Sequence, residues 1–519
     1  MKERWTNRTA FIFAMIGAAV WLWNARRFPW LCAEFWGWAF IIAYIICMLA
    51  IWMPLLMLET AIGRKTHKSA PLALKALDKK AEPLGWSAIG NAFFVTTYYA
   101  VVFWWCIMMC LLCLKFANVA GTTETASSLW QNTIWTTFTT DLSNGWWITN
   151  PIVLWCLIVA WLFIYWSIRK GTKYIEKVTK FTVIIPIITL LILAIKGFIG
   201  NPHLWEALSA LFIPNFNSFL DIDLWANAIG HSLYSLSIML GIAYTYWAYL
   251  KKEDSNIAVD TVIVSLVDLG ISILASIVLF TTMYSTGLSI DNMSASWIAT
   301  AFIIYPTAIV NLTSSWVLNA IFWFIFYFTL CTLAIDSAFA LLEAVSHAVS
   351  DKLKVDKRKT TRVLAVIMAI LWIIYTTKAW VAFIDIVDHR TNQYAFIIVG
   401  LLEAIFVGRL IKPQKVLDEI NLNTKKFSIP KWWFYTSIKI LAPIASIFLI
   451  ALPVRELIKN GWRYDTNYSL TSEIILWWCV IIVIISLGYI INYILKHTKN
   501  WQEILELENK EPTRDEIKE

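Results

Sequence analysis

The sequence predicts an all-α polytopic membrane protein with twelve transmembrane helices. The first observation is composition: 59% of the 519 residues are hydrophobic and 15% are charged. Soluble globular domains contain fewer hydrophobic and more charged residues than this. The second is a series of twelve apolar runs, since about twenty apolar residues span a bilayer as a helix. The third is that lysine and arginine gather in alternate loops, as in loops on the cytoplasmic side of a membrane.

The twelve runs account for most of the chain. They cover about 9–34, 37–62, 86–116, 150–168, 173–196, 222–250, 257–284, 316–350, 360–378, 383–410, 431–454 and 471–495. An even count places both termini on one side, and the basic N-terminus and even-numbered loops place that side in the cytoplasm. The loop 118–150 has no Lys or Arg and is expected outside the cell membrane. The same loop bias accounts for the net charge of +8 without a nucleic-acid partner.

The sequence argues against an enzyme. The eight cysteines all lie in apolar runs, which is typical of small buried side chains rather than of a disulfide framework or a zinc site. The chain has no His-rich metal cluster, no nucleophile elbow and no phosphate-binding glycine loop.

The first apolar run contains residues that an ordinary membrane helix does not accommodate. Arg26, Arg27 and Pro29 follow Gly17 within the run. A buried arginine costs about 2.5–3.5 kcal/mol at the bilayer centre, and proline removes a helical hydrogen bond. Irregular backbone occurs at membrane depth only where it is buried in protein or faces water. The run therefore predicts a broken helix beside a polar cavity.

A second break is predicted in the sixth run, where serines and a glycine interrupt the apolar pattern between His231 and Gly241. Serines in a membrane helix can simply bond to the preceding turn, but two breaks five spans apart indicate two inverted five-helix repeats. The first repeat then covers about 9–196 and the second covers 222–410. Residues 1–250 contain the first repeat and the beginning of the second. Two additional helices (431–497) and a cytoplasmic tail (498–519) follow.

Ionisable residues within the runs mark a pathway through the membrane. They are Arg26, Arg27, Glu34, Glu59, His231, Asp268, Asp336, Glu343, Asp388 and Glu403. Glu59 and Glu403 are expected to accept bonds from broken backbone. Asp336 beside Ser337 predicts an oxygen cage for a small hard cation, and Asp268 predicts a second one.

The ordered motifs resemble the neurotransmitter:sodium symporters, which have the leucine-transporter fold, although the chain is a divergent member. The resemblance runs from Arg4 to about residue 455. It rests on Ala14-Met-Ile-Gly-Ala-Ala-Val with Asn24 and Arg27-Phe-Pro29, Glu59-Thr-Ala-Ile-Gly-Arg64, Tyr98-Tyr99, Leu211-Phe-Ile-Pro-Asn-Phe216, Ser235-Leu-Ser237 with Gly241, Ala301-Phe-Ile-Ile-Tyr-Pro306, Leu333-Ala-Ile-Asp-Ser337 and Gly400-Leu-Leu-Glu403.

The resemblance implies two sodium sites. One would use carbonyls of Gly17, Val20 and Leu333 with the side chains of Asp336 and Ser337. The other would use Ala19, Asn24, Ser235 and Asp268, where the family usually has Asn in place of Asp268. The possible chloride site of the family would fall on Tyr44, His231, Ser235, Asp268 and Ser272. Because chloride-independent relatives place Glu where Ser272 stands, we hypothesise that the Asp268 carboxylate supplies the negative charge, which leaves a chloride requirement open.

The resemblance also implies a substrate site and two gates. Tyr99 matches the tyrosine that holds a substrate carboxylate, and Tyr234 matches the aromatic lid. The expected substrate-binding residues are Ala19, Trp21, Trp23, Val95, Tyr99, Tyr234, Ser235, Ser237, Leu240, Ser337 and Leu341. Arg27 and Asp388 match the outer gate. Lys2 or Arg4 with Tyr249 and Asp351 matches the inner gate.

The main departure from the family lies in the first break, where Trp21 and Trp23 replace two glycines and Ala18 replaces an Asn. The indoles either fill the substrate pocket or pack into neighbouring helices or lipid.

Two functions remain open. The first is a sodium-coupled symporter of an amino acid or related amine or zwitterion, in a lipid bilayer, as a monomer or homodimer. The second is a non-transporting sensor or subunit of the same fold with a tryptophan-occupied pocket.

Overall fold

The protein is a bundle of helices that pack around two broken segments. A computed structural model describes residues 4–119, 121–134, 151–169, 171–213, 215–251, 255–287, 300–410, 413–424, 427–463 and 468–496. The helices are α1 Arg8–Ala19, α2 Leu22–Glu34, α3 Trp38–Thr66, α4 Ala70–Leu77, α5 Glu82–Leu111, α6 Cys113–Ala117, α7 Thr123–Ile134, α8 Pro151–Ile168, α9 Thr172–Phe198, α10 Leu204–Phe212, α11 Ile222–Ser235, α12 Ile242–Ala248, α13 Ile257–Ser285, α14 Thr300–Val310, α15 Trp316–Leu353, α16 Lys357–Leu371, α17 Phe383–Arg409, α18 Pro413–Ile420, α19 Lys431–Lys459 and α20 Leu470–Lys496.

The helices agree with the apolar runs, and several are long enough to cross a membrane. Among the described residues, seven continuous helices meet the length and apolarity required for a span, and α1 with α2 forms a further, bent one. Each of the twelve predicted runs contains helix, although α8 and α16 are shorter than the seven.

Burial separates central helices from peripheral ones. The apolar segment of α5 is 89% buried, whereas those of α9 and α19 are 33% and 39% buried. Helix α5 packs along α15 and α20, and α2 packs along α13. Because the outward faces of the peripheral helices are apolar, lipid rather than water is their natural surroundings.

Backbone geometry shows where the two breaks occur. Helix α1 begins at a cap in which Asn7 accepts a bond from the Ala10 N–H, and it ends where Val20 and Trp21 become extended. Helix α2 resumes at a 52° bend. Between α11 and α12, Ser237, Met239 and Gly241 have positive φ angles, which a helix cannot contain. Both predicted breaks are present.

Candidate functional site

Polar side chains bond to the backbone of the break between α1 and α2. Ser237 Oγ donates to the Ala18 carbonyl at 2.6 Å. The Trp21 N–H donates to Asn24 Oδ1 at 2.9 Å, and the Leu22 N–H donates to the Tyr99 hydroxyl at 3.1 Å. These bonds satisfy backbone groups that the break frees from the helix, as buried groups require.

Asp336 and Ser337 of α15 lie against the break. Ser337 Oγ is 3.4 Å from the Gly17 carbonyl and 3.3 Å from the Val20 carbonyl. Asp336 Oδ1 accepts a bond from Thr182 of α9 at 2.6 Å. Asp336 is 2% exposed, and a buried carboxyl group keeps its negative charge only when it is paired or bound to a cation. The arrangement of two carbonyls, a hydroxyl and a carboxylate suits a hard cation such as sodium.

Gly17 is essential to this arrangement because a methyl group there would lie 2.7 Å from Asp336 Oδ2. We expect Gly17→Ala to displace the carboxylate at an overpacking cost of about 1–3 kcal/mol. Because that cost falls on the arrangement that would bind sodium, sodium binding should weaken by roughly 5- to 150-fold. Sodium-dependent thermal stabilisation measures this loss. Gly270→Ala is the matched control, since nothing lies within 4 Å of its added methyl. Equal sodium responses in both variants would contradict the prediction.

A second buried cluster surrounds Asp268 of α13. Its carboxylate accepts bonds from Asn24 at 2.6 Å, Ser235 at 2.6 Å and Tyr44 at 3.1 Å. Asn24 also donates to Ser235 and Ser272, at 2.8 and 2.9 Å. The structure thus brings together all the side chains expected at the second sodium site and most of those expected at the chloride site.

His231 stands apart from the Asp268 cluster. Its ring lies 5.7 Å from the rings of Phe28 and Tyr44. Neither ring nitrogen has a hydrogen-bond partner among the described residues, and the side chain is fully buried. His231 therefore touches the predicted chloride site through Tyr44 and makes no hydrogen bond to Ser235 or Asp268.

The Trp21 indole occupies the space expected for substrate. Its Nε1 donates to Ser237 Oγ at 2.5 Å, and its ring packs edge-on against Tyr99, with centroids 5.0 Å apart. Trp21 is 3% exposed. Because Tyr99 and Ser237 are both expected substrate-binding residues, the indole lies within the expected pocket.

Trp23 has different neighbours, at the predicted outer gate. The Arg26 and Arg27 guanidinium groups lie 4.8 and 5.8 Å from its ring centroid, so the indole packs against cations. Arg27 also lies 5.9 Å from the Tyr234 ring. A cavity of about 300 Å³ adjoins these groups, lined in part by Asp223, Asn227, Gln393 and Glu456.

The structure does not join Arg27 directly to Asp388. No ion pair within 4 Å links them in the described part of the chain. Instead, Asn392 donates to Asp388 at 2.6 Å, and the Tyr234 hydroxyl donates to the Asn392 carbonyl at 2.6 Å. Asn392 thus links Asp388 and Tyr234 by hydrogen bonds, and the sequence did not predict this role for Asn392.

The expected inner gate is also rearranged. The Tyr249 hydroxyl donates to Glu343 at 3.0 Å and accepts from Lys357 at 2.8 Å, and Lys357 pairs with Glu343. Asp351 accepts bonds from the Ser69 N–H and hydroxyl instead, so the described contacts do not bring Tyr249 and Asp351 together. Lys2 lies outside the described residues.

The N-terminal segment is tied to the bundle by polar contacts. Arg8 Nε donates to Asp260 at 2.8 Å, and Thr6 donates twice to Glu176 at 2.6 Å. The Trp5 N–H donates to the Tyr249 carbonyl at 3.2 Å. The pattern of charges along the sequence does not identify such partners, because they are 170 to 252 residues apart.

The remaining predicted residues line the same region. Ala19 ends α1, Leu240 lies in the second break, Val95 precedes Tyr99 by one turn, and Leu333 and Leu341 flank Ser337 by one turn each. All five are buried.

The two glutamates expected to accept bonds from broken backbone differ. Glu59 accepts a bond from the Met239 N–H, in the second break, at 2.8 Å. Glu403 accepts a bond from the Tyr244 hydroxyl, which is a side chain. Only the bond of Glu59 is therefore the expected one to broken backbone.

An apolar helical bundle with carboxylates and hydroxyls gathered around broken helices is the design of a multi-pass membrane transporter. The chain belongs to the sodium:neurotransmitter symporter family, whose model matches residues 2–119 and 114–498. The resemblance inferred from the motifs is thereby confirmed. The family consists of sodium-coupled transporters of small molecules, not enzymes.

Similar proteins support the same assignment. An uncharacterized sodium-dependent transporter of Methanocaldococcus jannaschii is 28% identical over 505 residues, covering 96% of this chain and 98% of that protein. The sodium- and chloride-dependent GABA transporter 2 of Rattus norvegicus is 24% identical over 486 residues, covering 85% and 79%. The crystal structure of MhsT in complex with L-phenylalanine has a TM-score of 0.73 at 23% identity, covering 87% and 99%, which shows a shared fold.

Proposed function

We propose that the protein is a sodium-coupled symporter of an amino acid or a related small amine or zwitterion. One observation carries this proposal: two buried carboxylates, Asp336 and Asp268, lie with hydroxyl and amide groups beside the same broken helix. Sodium at these carboxylates would hold the break in a substrate-binding shape. Inward sodium movement supplies about 2.3 kcal/mol per charge for each 100 mV.

The proposed cycle is alternating access within twelve spans arranged as two inverted five-helix repeats. The sodium ligands are those expected from the sequence: Gly17, Val20, Leu333, Asp336 and Ser337 at one site, and Ala19, Asn24, Ser235 and Asp268 at the other. Arg27, Asp388 and Asn392 would close the outer side, and Tyr249, Glu343 and Lys357 the inner side. We place both termini in the cytoplasm and the protein in the cell membrane.

A non-transporting sensor is the second candidate, and the position of Trp21 favours it. An indole bonded to Ser237 and packed on Tyr99 leaves less room for a substrate than glycine would. A transporter must either accept a small substrate beside the indole or turn the indole aside. A sensor needs only to bind sodium and change shape.

Uptake into proteoliposomes tests the choice. Purified full-length protein is screened for amino acids and amines that raise its unfolding temperature only in sodium, and the best ligand is then offered radiolabelled. Accumulation that requires an inward sodium gradient and rises with a negative interior supports the symporter. Sodium-dependent stabilisation without any uptake supports the sensor, and no sodium effect of either kind contradicts both.

The Asp268 carboxylate should make sodium binding independent of chloride. Replacing chloride by gluconate is expected to leave sodium-dependent stabilisation of the wild type unchanged. Asp268→Asn removes the negative charge beside Asn24 and should weaken sodium binding roughly tenfold or more, with partial recovery in chloride. A wild-type protein whose sodium response collapses without chloride would contradict this role for Asp268.

A further inference from the structure

A cleft between α17 and α20 lies apart from the sodium and substrate residues. It has two parts, of about 270 and 380 Å³, and Arg390 and Trp477 line both of them. The first part is lined mainly by aliphatic side chains, among them Ile398, Val399, Leu402, Val480, Ile481 and Ile484. The second is lined by Leu457, Trp462, Glu473, Ile474 and Trp478 besides the shared residues.

The dimensions of the cleft match one leaflet of a bilayer. From Arg390 to Leu402 along α17 the helical rise is about 18 Å, whereas half of a hydrocarbon core is about 15 Å. The side chain of Ile398 is 42% exposed and that of Trp478 is 58% exposed, so the cleft opens on the outer face of the bundle. Tryptophans near one end are typical of the membrane–water interface.

Arg390 gives this apolar cleft a polar end. The side chain is 3% exposed; its Nη2 bonds to Glu473 at 2.5 Å, and its guanidinium lies 4.1 Å from the Trp477 ring centroid. Its Nε and Nη1 have no hydrogen-bond acceptor among the described residues. Buried donors without acceptors are unfavourable, and most of all on a charged group. An additional acceptor at this position would remove that cost.

We propose that the cleft binds one glycerophospholipid. A phosphodiester oxygen would accept the free donors of Arg390, and one acyl chain would lie between α17 and α20. A phospholipid complements both parts of the cleft. Its phosphate is an anionic acceptor for Arg390 at the tryptophan-lined end, and its acyl chain is a long apolar group for the aliphatic part. A second copy of this chain would cover the apolar face but would have to place an acceptor against Arg390 as well.

Native mass spectrometry of the full-length protein tests the proposal. Delipidated protein in mild detergent is titrated with dioleoyl phosphatidylglycerol, and bound lipid is counted. Ile398→Trp fills the cleft from an exposed position, and Arg390→Gln with Glu473→Gln removes both charges together. Ile447→Trp is the matched control because Ile447 is 57% exposed on α19 and does not line the cleft.

One tightly retained phospholipid in the wild type and in Ile447→Trp is expected, with at least fivefold less retained by both cleft variants. Equal retention in wild type and Ile398→Trp would overturn the proposal. So would efficient cross-linking between two copies through a cysteine placed at position 398 in lipid vesicles, since a second copy would then cover the cleft. If the double variant does not fold, Ile398→Trp decides the question alone.

Discussion

Trp21→Gly is expected to lower the unfolding temperature markedly in the absence of ligand, and added indole is expected to restore much of it. Removing a buried tryptophan costs about 3–5 kcal/mol because it leaves a cavity. The cavity would be bounded by Tyr99 and Ser237, which the indole contacts now. Apolar cavities of this kind bind small aromatic molecules. Thermal unfolding with and without indole measures both effects.

The same substitution should change which ligands the protein recognises. With the indole gone, larger and aromatic amino acids should stabilise the protein in sodium where they did not before. Trp21→Phe keeps a ring against Tyr99 but loses the bond to Ser237. The range of ligands that stabilise it should lie between those of the wild type and of Trp21→Gly. Trp23→Gly is the matched control, because that indole contacts Arg26 and Arg27 instead. A ligand profile unchanged in Trp21→Gly would contradict a pocket role for Trp21.

The sequence was sufficient to predict both helix breaks and the carboxylates beside them. The first signal is local: a proline and two arginines inside an apolar run predict an interrupted membrane helix. The break itself lies at Val20 and Trp21, and α2 contains Arg26, Arg27 and Pro29. Asp336 and Asp268 were identifiable for the same reason, since a carboxylate at membrane depth requires a partner. The structure places both beside the first break.

Contacts between distant side chains were not predictable in this way. Thr182 bonds to Asp336 across 154 residues, and one threonine among many in α9 carries no distinguishing pattern. The direction of the Trp21 side chain depends on Ser237 and Tyr99, which are contributed by two other segments. Likewise, Arg27 and Asp388 have the residue types of an ion pair, but the Asp388 carboxylate accepts a hydrogen bond from Asn392 instead. Residue types set what can pair, and packing decides what does.

Lys357→Met is expected to destabilise the protein strongly and to loosen its N-terminal segment. The lysine pairs with Glu343, which is 1% exposed, and removing one partner of a buried ion pair costs about 3–5 kcal/mol. Tyr249 joins both groups, and its carbonyl accepts the Trp5 N–H. Disturbance of this cluster should therefore reach α1. Thermal unfolding measures the first effect, and amide hydrogen exchange of residues 5–19 measures the second.

Lys359→Met is the matched control, since Lys359 lies on the same helix but is exposed, and it should change stability by less than about 0.5 kcal/mol. Glu343→Gln combined with Lys357→Met removes both charges and should recover most of the stability, giving a large coupling energy in a double-mutant cycle. Recovery of stability without recovery of slow exchange at residues 5–19 would separate the two roles of the cluster. It would mean that the ion pair itself, rather than the packing around Tyr249, holds α1 against the bundle. Additive effects of the two single substitutions would contradict the prediction, because independent groups do not share one interaction.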